Sequence, residues 1–392
     1  VRHSAYQFSF ATGNISKMLL EKVLDVLCYV TNYVDVAIDV FFQRMFLRKC
    51  LSLERTGPPS LTGRTFIVTG PTSGIGTYTA HEIARRGAKT ILACRDATRG
   101  NRLAEDIRHR CKHGSGVEAD VEVMILDVSS LKSCRDFAKK WKAREGEGSR
   151  RNKDGSPVGP YIHGLIHNAG IFDFSLGRKK TSEGYEAHYV TNYLSNYLLT
   201  RLLFQELFDA SQVHWGAHGG DYIMSSRIVC VSSKMHQVGY VGKLADLQFD
   251  RGYAPAAAYS RSKLCQVLFI AELRRKLEDD KYGVEALAVH PGEVMTNVTR
   301  SLPAWLIRLK EIMMVPFLLT AAEGARASIA ALTCPNVSHR SKEDGTLGYL
   351  GSGGDPERPA RQARREEDAK LLWKISAAQC DLPEHMTFEV DL

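Results

Sequence analysis

TFIVTGPTSGIG, residues 65–76, reads as a short β-branched strand running into a glycine-rich turn. Helical spacing follows from Thr79 to Arg86, and strand, glycine turn and helix in that order make the unit that binds dinucleotides. Gly70 permits the tight turn, Gly74 lets backbone approach a pyrophosphate, and Gly76 allows close helix packing. The N–H groups at the helix start then face the phosphates. Three spaced glycines alone are an ordinary loop; the flanking strand and helix decide otherwise.

Downstream, the pattern repeats. KTILA ends in Cys94, Arg95 and Asp96. An acid at this strand end accepts ribose hydroxyls, whereas a cation pairs with a 2′-phosphate; with Cys94 at the end and Arg95 next, NADP(H) is favoured over NAD(H), with Asp96 pulling the other way. A helix over Gly100–Arg110 leads to the strand VEVMIL and Asp127, placed to contact an adenine ring. Glu145–Pro160 is rich in basic residues, Gly and Ser and reads as an exposed loop. GLIH is a fourth strand ending in Asn168, Ala169 and Gly170; a helix carrying Asn192 and a polar insertion at Ser211–Ser226 precede RIVCV, which ends in Ser232 and Ser233. VEALAV, Val284–Val289, is the last strand and runs into HPGEVMT. Alternating strands and helices give an α/β fold, a doubly wound parallel sheet of Rossmann type. Ligands in such sheets bind beyond the carboxyl ends of the strands, so Gly70, Arg95, Asn168 and Ser233 should converge on one crevice.

Tyr259 and Lys263, in AAAYSRSKL, lie four residues apart on an expected helix, so the phenol and ammonium share a face. A nearby cation favours the phenolate. Alone, the pair also fits a solvated surface helix. Of Ser232 and Ser233, neighbours on a strand, only one should reach the site.

With these motifs in order, the chain resembles the short-chain dehydrogenases/reductases, and within them the retinol-dehydrogenase-like branch, over about Leu61–Leu350. The turn T-G-x-x-x-G-x-G matches Thr69–Gly76, N-A-G matches Asn168–Gly170, Y-x-x-x-K matches Tyr259 and Lys263, and P-G-x-x-x-T matches Pro291, Gly292 and Thr296. The phrases ILACRD and HPGEV, and the long gap from Ser233 to Tyr259, point to the branch. The resemblance implies hydride transfer between a nicotinamide and an alcohol or carbonyl, with Asn192, Ser233, Tyr259 and Lys263 catalytic. It implies cofactor contacts from Gly70, Thr72, Ser73, Gly74, Ile75, Gly76, Arg95, Asp127, Asn168, Ala169, Gly170, Tyr259, Lys263, Pro291, Gly292, Val294 and Thr296. Ser233 is preferred because the family's catalytic serine is followed by a short segment ending in Gly, here replaced by His236. Lys263 is expected to hold the ribose and lower the tyrosine's pKa, and Asn192 to position a water. The family's substrate lid matches Ser301–Thr320, rich in Leu, Ile, Met and Trp, which suits a lipophilic retinoid, steroid or polyprenol type of substrate; a packed helix pair or oligomer interface fits those residues nearly as well.

Three segments follow from this reading: an N-terminal extension over 1–56, the Rossmann domain over 57–355 and a C-terminal helical tail over 356–392. From Met18 to Leu47 the chain is strongly apolar, but Asp25, Asp35 and Asp39 interrupt it before any uncharged run reaches spanning length. Glu21, Asp25, Asn32, Asp35, Asp39 and Gln43 form one stripe of an amphipathic helix. Docking on a membrane surface or a membrane-protein partner is favoured over folding back on its own domain, and Arg44, Arg48 and Lys49 suit an anionic surface. The helix is longer and more acid-striped than a plain anchor of that branch.

The net charge of +8 suits anionic partners, but Lys and Arg are scattered, without the aromatic-interleaved basic stripe of a nucleic-acid binder. Nine cysteines without a Cys-x-x-Cys pair read as reduced intracellular thiols, with neither a disulfide framework nor a metal site. The chain opens on Val1, which fits a form whose targeting segment has been removed; a membrane-associated place at the mitochondrion or endoplasmic reticulum is expected, and an oligomer is allowed. The alternative is an accessory subunit of a membrane assembly that keeps the nucleotide-binding fold as scaffold.

Overall fold

The computed structural model describes residues 60–384 except 147–148, 152–154, 156, 174–176, 213–225, 243–245, 251, 278–282, 295–317, 335–336 and 338–345, together with Val34 and Ile38. The expected amphipathic helix over Met18–Leu47 otherwise lies outside the described residues, as do Thr296 and all of Ser301–Thr320 before Leu318.

Among the described residues seven strands form one parallel sheet: β1 (Thr65–Thr69), β2 (Lys89–Cys94), β3 (Val121–Ile125), β4 (Gly164–His167), β5 (Ser226–Val231), β6 (Val284–Val289) and β7 (Tyr349–Leu350), in the order β3-β2-β1-β4-β5-β6-β7. Every residue of β4 and β5 is buried, as β-branched runs covered by helices on both faces require. Alternation sorts the side chains: Phe66 and Val68 enter one core with Ala80, Ile83 and Ala327, while Ile67 enters the other with Trp141, Tyr193 and Leu268.

Helices α1 (Ile75–Arg85), α2 (Ala97–Ser115) and α7 (Ala321–Thr333) contribute to the first core. The second is built by α3 (Leu131–Lys142), α5 (Phe204–Gln212), α6 (Pro255–Lys276), α8 (Glu366–Gln379) and α4, whose segments Ala187–Tyr189 and Ser195–Leu202 flank a π turn at Val190–Leu194. Local chemistry sets several starts. Asp96 caps α2, Ser130 caps α3, and Thr320 with Glu323 forms a capping box on α7.

Helix α6 is buried on nearly all sides from Ala258 to Leu273, because α8 covers the face turned from the sheet. Trp373 of α8 meets the Tyr197 ring edge-on at 5.0 Å, and Ser376 bonds the Tyr193 hydroxyl at 2.6 Å. The C-terminal helix thus braces the two helices that carry Asn192 and Tyr259. The order reverses between β2-β1 and β4, and a doubly wound sheet opens its crevice at that point.

Candidate active site

At the carboxyl end of β1, Gly70 and Gly74 take φ of +62° and +58°, conformations that side chains rarely adopt. A Cβ on Gly76 would lie 2.4 Å from Asn168 Nδ2 and 2.6 Å from the Gly70 carbonyl; the third glycine lets α1 close onto both neighbouring turns. Asn168 completes the cradle by donating from Nδ2 to the carbonyls of Thr69 and Gly70, each at 3.0 Å. The Thr69 hydroxyl accepts from the N–H groups of Asn168 and Ala169. The ends of β1 and β4 are therefore one hydrogen-bonded unit. Thr72 and Ser73 form the outer part of the turn, and Ile75 opens α1.

At the end of β2 the acid and the cations part company. Asp96 turns its carboxylate to the Arg99 N–H at 3.0 Å as the α2 cap, whereas Arg95 is exposed. Arg99, for which the sequence holds no signal, reaches back and donates to the Thr72 carbonyl at 3.0 Å. Asp127 accepts from the N–H and hydroxyl of Ser129 in a tight turn after β3.

Ser232 and Ser233 point to different partners, as their alternation requires. Ser232 donates to the Lys263 carbonyl at 3.0 Å, while the Ser233 hydroxyl accepts from Met235 N–H at 3.2 Å and lies beside the Tyr259 phenol. Burial pushes that phenol well above its ordinary range; the neighbouring Ser233 hydroxyl pulls it down and the Glu293 charge pushes it up. Lys263 Nζ donates to the Val231 carbonyl at 2.9 Å and stands 5.7 Å from the Tyr259 ring centre. Its own pKa is pulled down to about 8 by burial, with a small opposing push from Cys230. Burial thus governs the phenol, and the Ser233 hydroxyl supplies the opposing effect.

The π turn contains Asn192, whose amide is fully committed. Oδ1 accepts from Ile171 N–H at 2.8 Å, and Nδ2 donates to the Ile171 carbonyl at 3.0 Å and to Ser262 Oγ at 2.9 Å. Its backbone carbonyl accepts from Asn196 Nδ2 at 2.7 Å. A Cβ on Gly170 would sit 3.2 Å from Asn192 Oδ1 and 3.5 Å from Lys263 Nζ. Gly170 is the floor that keeps this space open.

Beyond β6, Pro291 and Gly292 form a turn in which Gly292 donates to His290 Nδ1 at 3.2 Å, and Val294 packs with Ile75, Leu319 and Gly324 beside the glycine turn. Glu357, a second residue missed in the sequence, lies 3.3 Å from His290 and 3.4 Å from Lys234. Burial works against its charge, yet His290 and Lys234 hold the carboxyl down to about 2. It ties the turn after Ser233 to the turn before Gly292.

A glycine turn with no room for side chains, together with a buried tyrosine and lysine off the same end of the parallel sheet, fits the class of an oxidoreductase working with a nicotinamide dinucleotide. The chain belongs to the short-chain dehydrogenase family, whose model matches residues 64–307, and lies on its retinol-dehydrogenase-like branch. It is 32% identical to mouse retinol dehydrogenase 12, covering 82% of this chain and 87% of that protein, and 33% identical to human retinol dehydrogenase 14, covering 84% and 90%. It is 32% identical to the Arabidopsis thaliana dehydrogenase/reductase SDR family member FEY, covering 88% and 86%. A solved structure of an uncharacterized protein from Mycobacterium paratuberculosis is 28% identical, with a TM-score of 0.61 over 87% of this chain and all of that one.

Proposed function

We propose that the protein interconverts an alcohol and a carbonyl on a lipophilic substrate, with NADP(H) as cofactor and Tyr259 as general acid or base. The observation that carries this reading is the buried Tyr259 phenol set beside the Ser233 hydroxyl and Lys263. In reduction, Ser233 bonds the carbonyl oxygen while Tyr259 donates its proton to the same oxygen as negative charge builds there. Lys263 is placed to hold the nicotinamide ribose. Asn192, whose Oδ1 stands with Lys263 Nζ around Gly170, is placed to position a water. The bound nicotinamide supplies or accepts the hydride.

The residues fit that cofactor. Gly70, Gly74 and Gly76 leave room for a pyrophosphate that side chains would fill. The NADP(H) preference rests on the Asp96 cap, which directs the acid into α2, and on exposed Arg95 and Arg99 at the same rim, suited to a 2′-phosphate. The names of the retinol dehydrogenases support a lipophilic substrate, and the apolar stretch at 301–320 agrees with it. Membrane association is proposed from the Met18–Leu47 pattern; among the described residues no helix is long and apolar enough to cross a membrane. The accessory-subunit alternative rests on that same stretch, and no observation in the site favours it. The three-part division, with a docking extension at 1–56, the catalytic domain and a helical tail, belongs to the same proposal.

The test is thermal stabilisation by NADPH against NADH at matched concentrations, followed by NADPH oxidation with long-chain aldehydes and ketones. A larger shift with NADPH and turnover on the lipophilic carbonyls are expected. Equal shifts would defeat the cofactor preference, and no shift with either would defeat the enzyme reading.

A further inference from the structure

Helix α4 sets two side chains on the segment that follows Gly170. Asn192 grips Ile171 at both its N–H and its carbonyl. One turn earlier on the same face, His188 Nε2 accepts from Asp173 N–H at 3.0 Å. Between the two anchored residues stands Phe172, whose ring stacks on Tyr259 with centroids 4.1 Å apart and planes within 8°. Both rings also meet His188 edge-on, at 6.5 and 6.4 Å.

The imidazole is itself held. His188 Nδ1 lies 2.8 Å from Glu186 Oε1, and both side chains are 1% exposed. A carboxylate only accepts, so Nδ1 carries the hydrogen and Nε2 is left as the acceptor that Asp173 needs. Glu186 is fixed in turn by the N–H groups of His188 and Tyr189 at 3.0 and 2.7 Å. Tyr253 closes the group, its hydroxyl 3.4 Å from His188 Nδ1. The order of control runs from carboxylate to tautomer, from tautomer to backbone, and from backbone to the Phe172 ring.

We propose that Phe172 is a specificity-determining wall at Tyr259 and that the buried Glu186–His188 pair is its positioning device, making the site select flat groups beside the reacting carbon. The inference rests on Tyr259 as the proton donor. A ring stacked parallel to the phenol limits how a substrate can bring its oxygen to the hydroxyl. A planar neighbour can follow the edge of the stack, whereas a puckered one of equal carbon count meets it.

The experiment compares kcat/KM for benzaldehyde and cyclohexanecarbaldehyde, equal in ring size but flat and puckered, with NADPH as the second substrate. Phe172→Leu is expected to lower the flat-to-puckered ratio about 3- to 10-fold, the range an aromatic contact commands. His188→Ala should lower it similarly, and His188→Gln, whose carbonyl can still accept from Asp173, should restore at least half. The KM for NADPH should stay within twofold throughout, which separates positioning from general damage. An unchanged ratio in Phe172→Leu overturns the wall, and an unchanged ratio in His188→Ala overturns the device. Should His188→Ala not fold, Glu186→Gln keeps the shape but weakens the hold on the Nδ1 hydrogen; an unchanged ratio there overturns the device equally. Full activity in Tyr259→Phe would remove the underlying reading, whereas an inactive Tyr259→Phe with an unchanged ratio in Phe172→Leu removes only this inference.

Discussion

Ser232 donates its hydroxyl hydrogen to the backbone carbonyl of Lys263 at 3.0 Å, fastening the end of β5 to α6. Its neighbour Ser233 faces the Tyr259 phenol instead. The two hydroxyls should therefore fail differently. Ser233→Ala should cost about 10²–10³-fold in kcat, as loss of one donor to a developing oxyanion does elsewhere, and about 0.5–1 kcal/mol of stability for the lost cap on Met235 N–H. Ser232→Ala should cost about 0.5–1.5 kcal/mol of stability, the net worth of one intramolecular hydrogen bond, with kcat within a few-fold. Kinetics on the pair decide it; a large kcat loss in Ser232→Ala and a small one in Ser233→Ala would reassign the serine.

Burial sets the working pH of Lys263. Its pKa is pulled down to about 8, against an ordinary 10.5. Above pH 8 the folded protein releases this proton, and kcat/KM for reduction should fall roughly tenfold per unit. Stability should move the other way. Between 8 and 10.5 the unfolded chain binds the extra proton, so this group makes stability rise with pH. A profile that falls while Tm holds separates titration of Lys263 from alkaline unfolding, and Lys263→Arg, which cannot lose its proton, should abolish the alkaline limb.

The glycine turn has an internal control. Gly76→Ala forces a Cβ to 2.4 Å from Asn168 Nδ2 and 2.6 Å from the Gly70 carbonyl; it should destabilise by about 1–3 kcal/mol and raise the KM for the cofactor at least tenfold. Gly114, near the end of α2, has nothing within 4 Å of the same built atom. Gly114→Ala should raise stability by about 0.5–1 kcal/mol and leave the cofactor KM unchanged. Melting curves with and without NADPH measure both.

Acid should weaken the fold before it protonates the carboxylates. Burial pulls His163, His167 and His236 down to about 3 from an ordinary 6.5. Through that window the unfolded chain binds more protons, so stability is lost as pH falls below about 6.5, by up to about 1.4 kcal/mol per unit for each histidine. His236 adds a local consequence. Its ring bonds the Ser233 carbonyl at 2.8 Å and accepts from Ala360 N–H at 3.0 Å, so its protonation breaks the link between the C-terminal segment and the serine turn. Tm measured from pH 7 to 4.5 should fall steeply, and His167→Phe should flatten the slope.

What the sequence made legible was what local chemistry dictates. The strands TFIVT, GLIH and VEALAV have their expected bounds because buried β-branched runs between turn residues leave few alternatives. Asp96 is different: as an acid at a strand end it read as a ribose ligand, yet an Asp just before a helix is also an N-cap, and the cap is where its carboxylate goes. The choice between Ser232 and Ser233 followed from resemblance, since alternation alone shows only that they differ. Phe172 gave no signal, because its meaning depends on a loop held by His188 and Asn192; their four-residue spacing on one helix was the available hint. Glu357 was invisible for a related reason: its partners His290 and Lys234 are distant in sequence and meet only when β7 pairs with β6.

Tyr259 is the proposed carrier of the proton. Tyr259→Phe removes one oxygen and keeps the ring that stacks on Phe172, so fold and cofactor site should survive. The direct measurement is kcat for NADPH-dependent carbonyl reduction by this variant, alongside its thermal shift with NADPH. A wild-type shift with turnover reduced about 10²–10⁴-fold is the expected result; a wild-type shift with full turnover would take the proton-transfer role away from Tyr259.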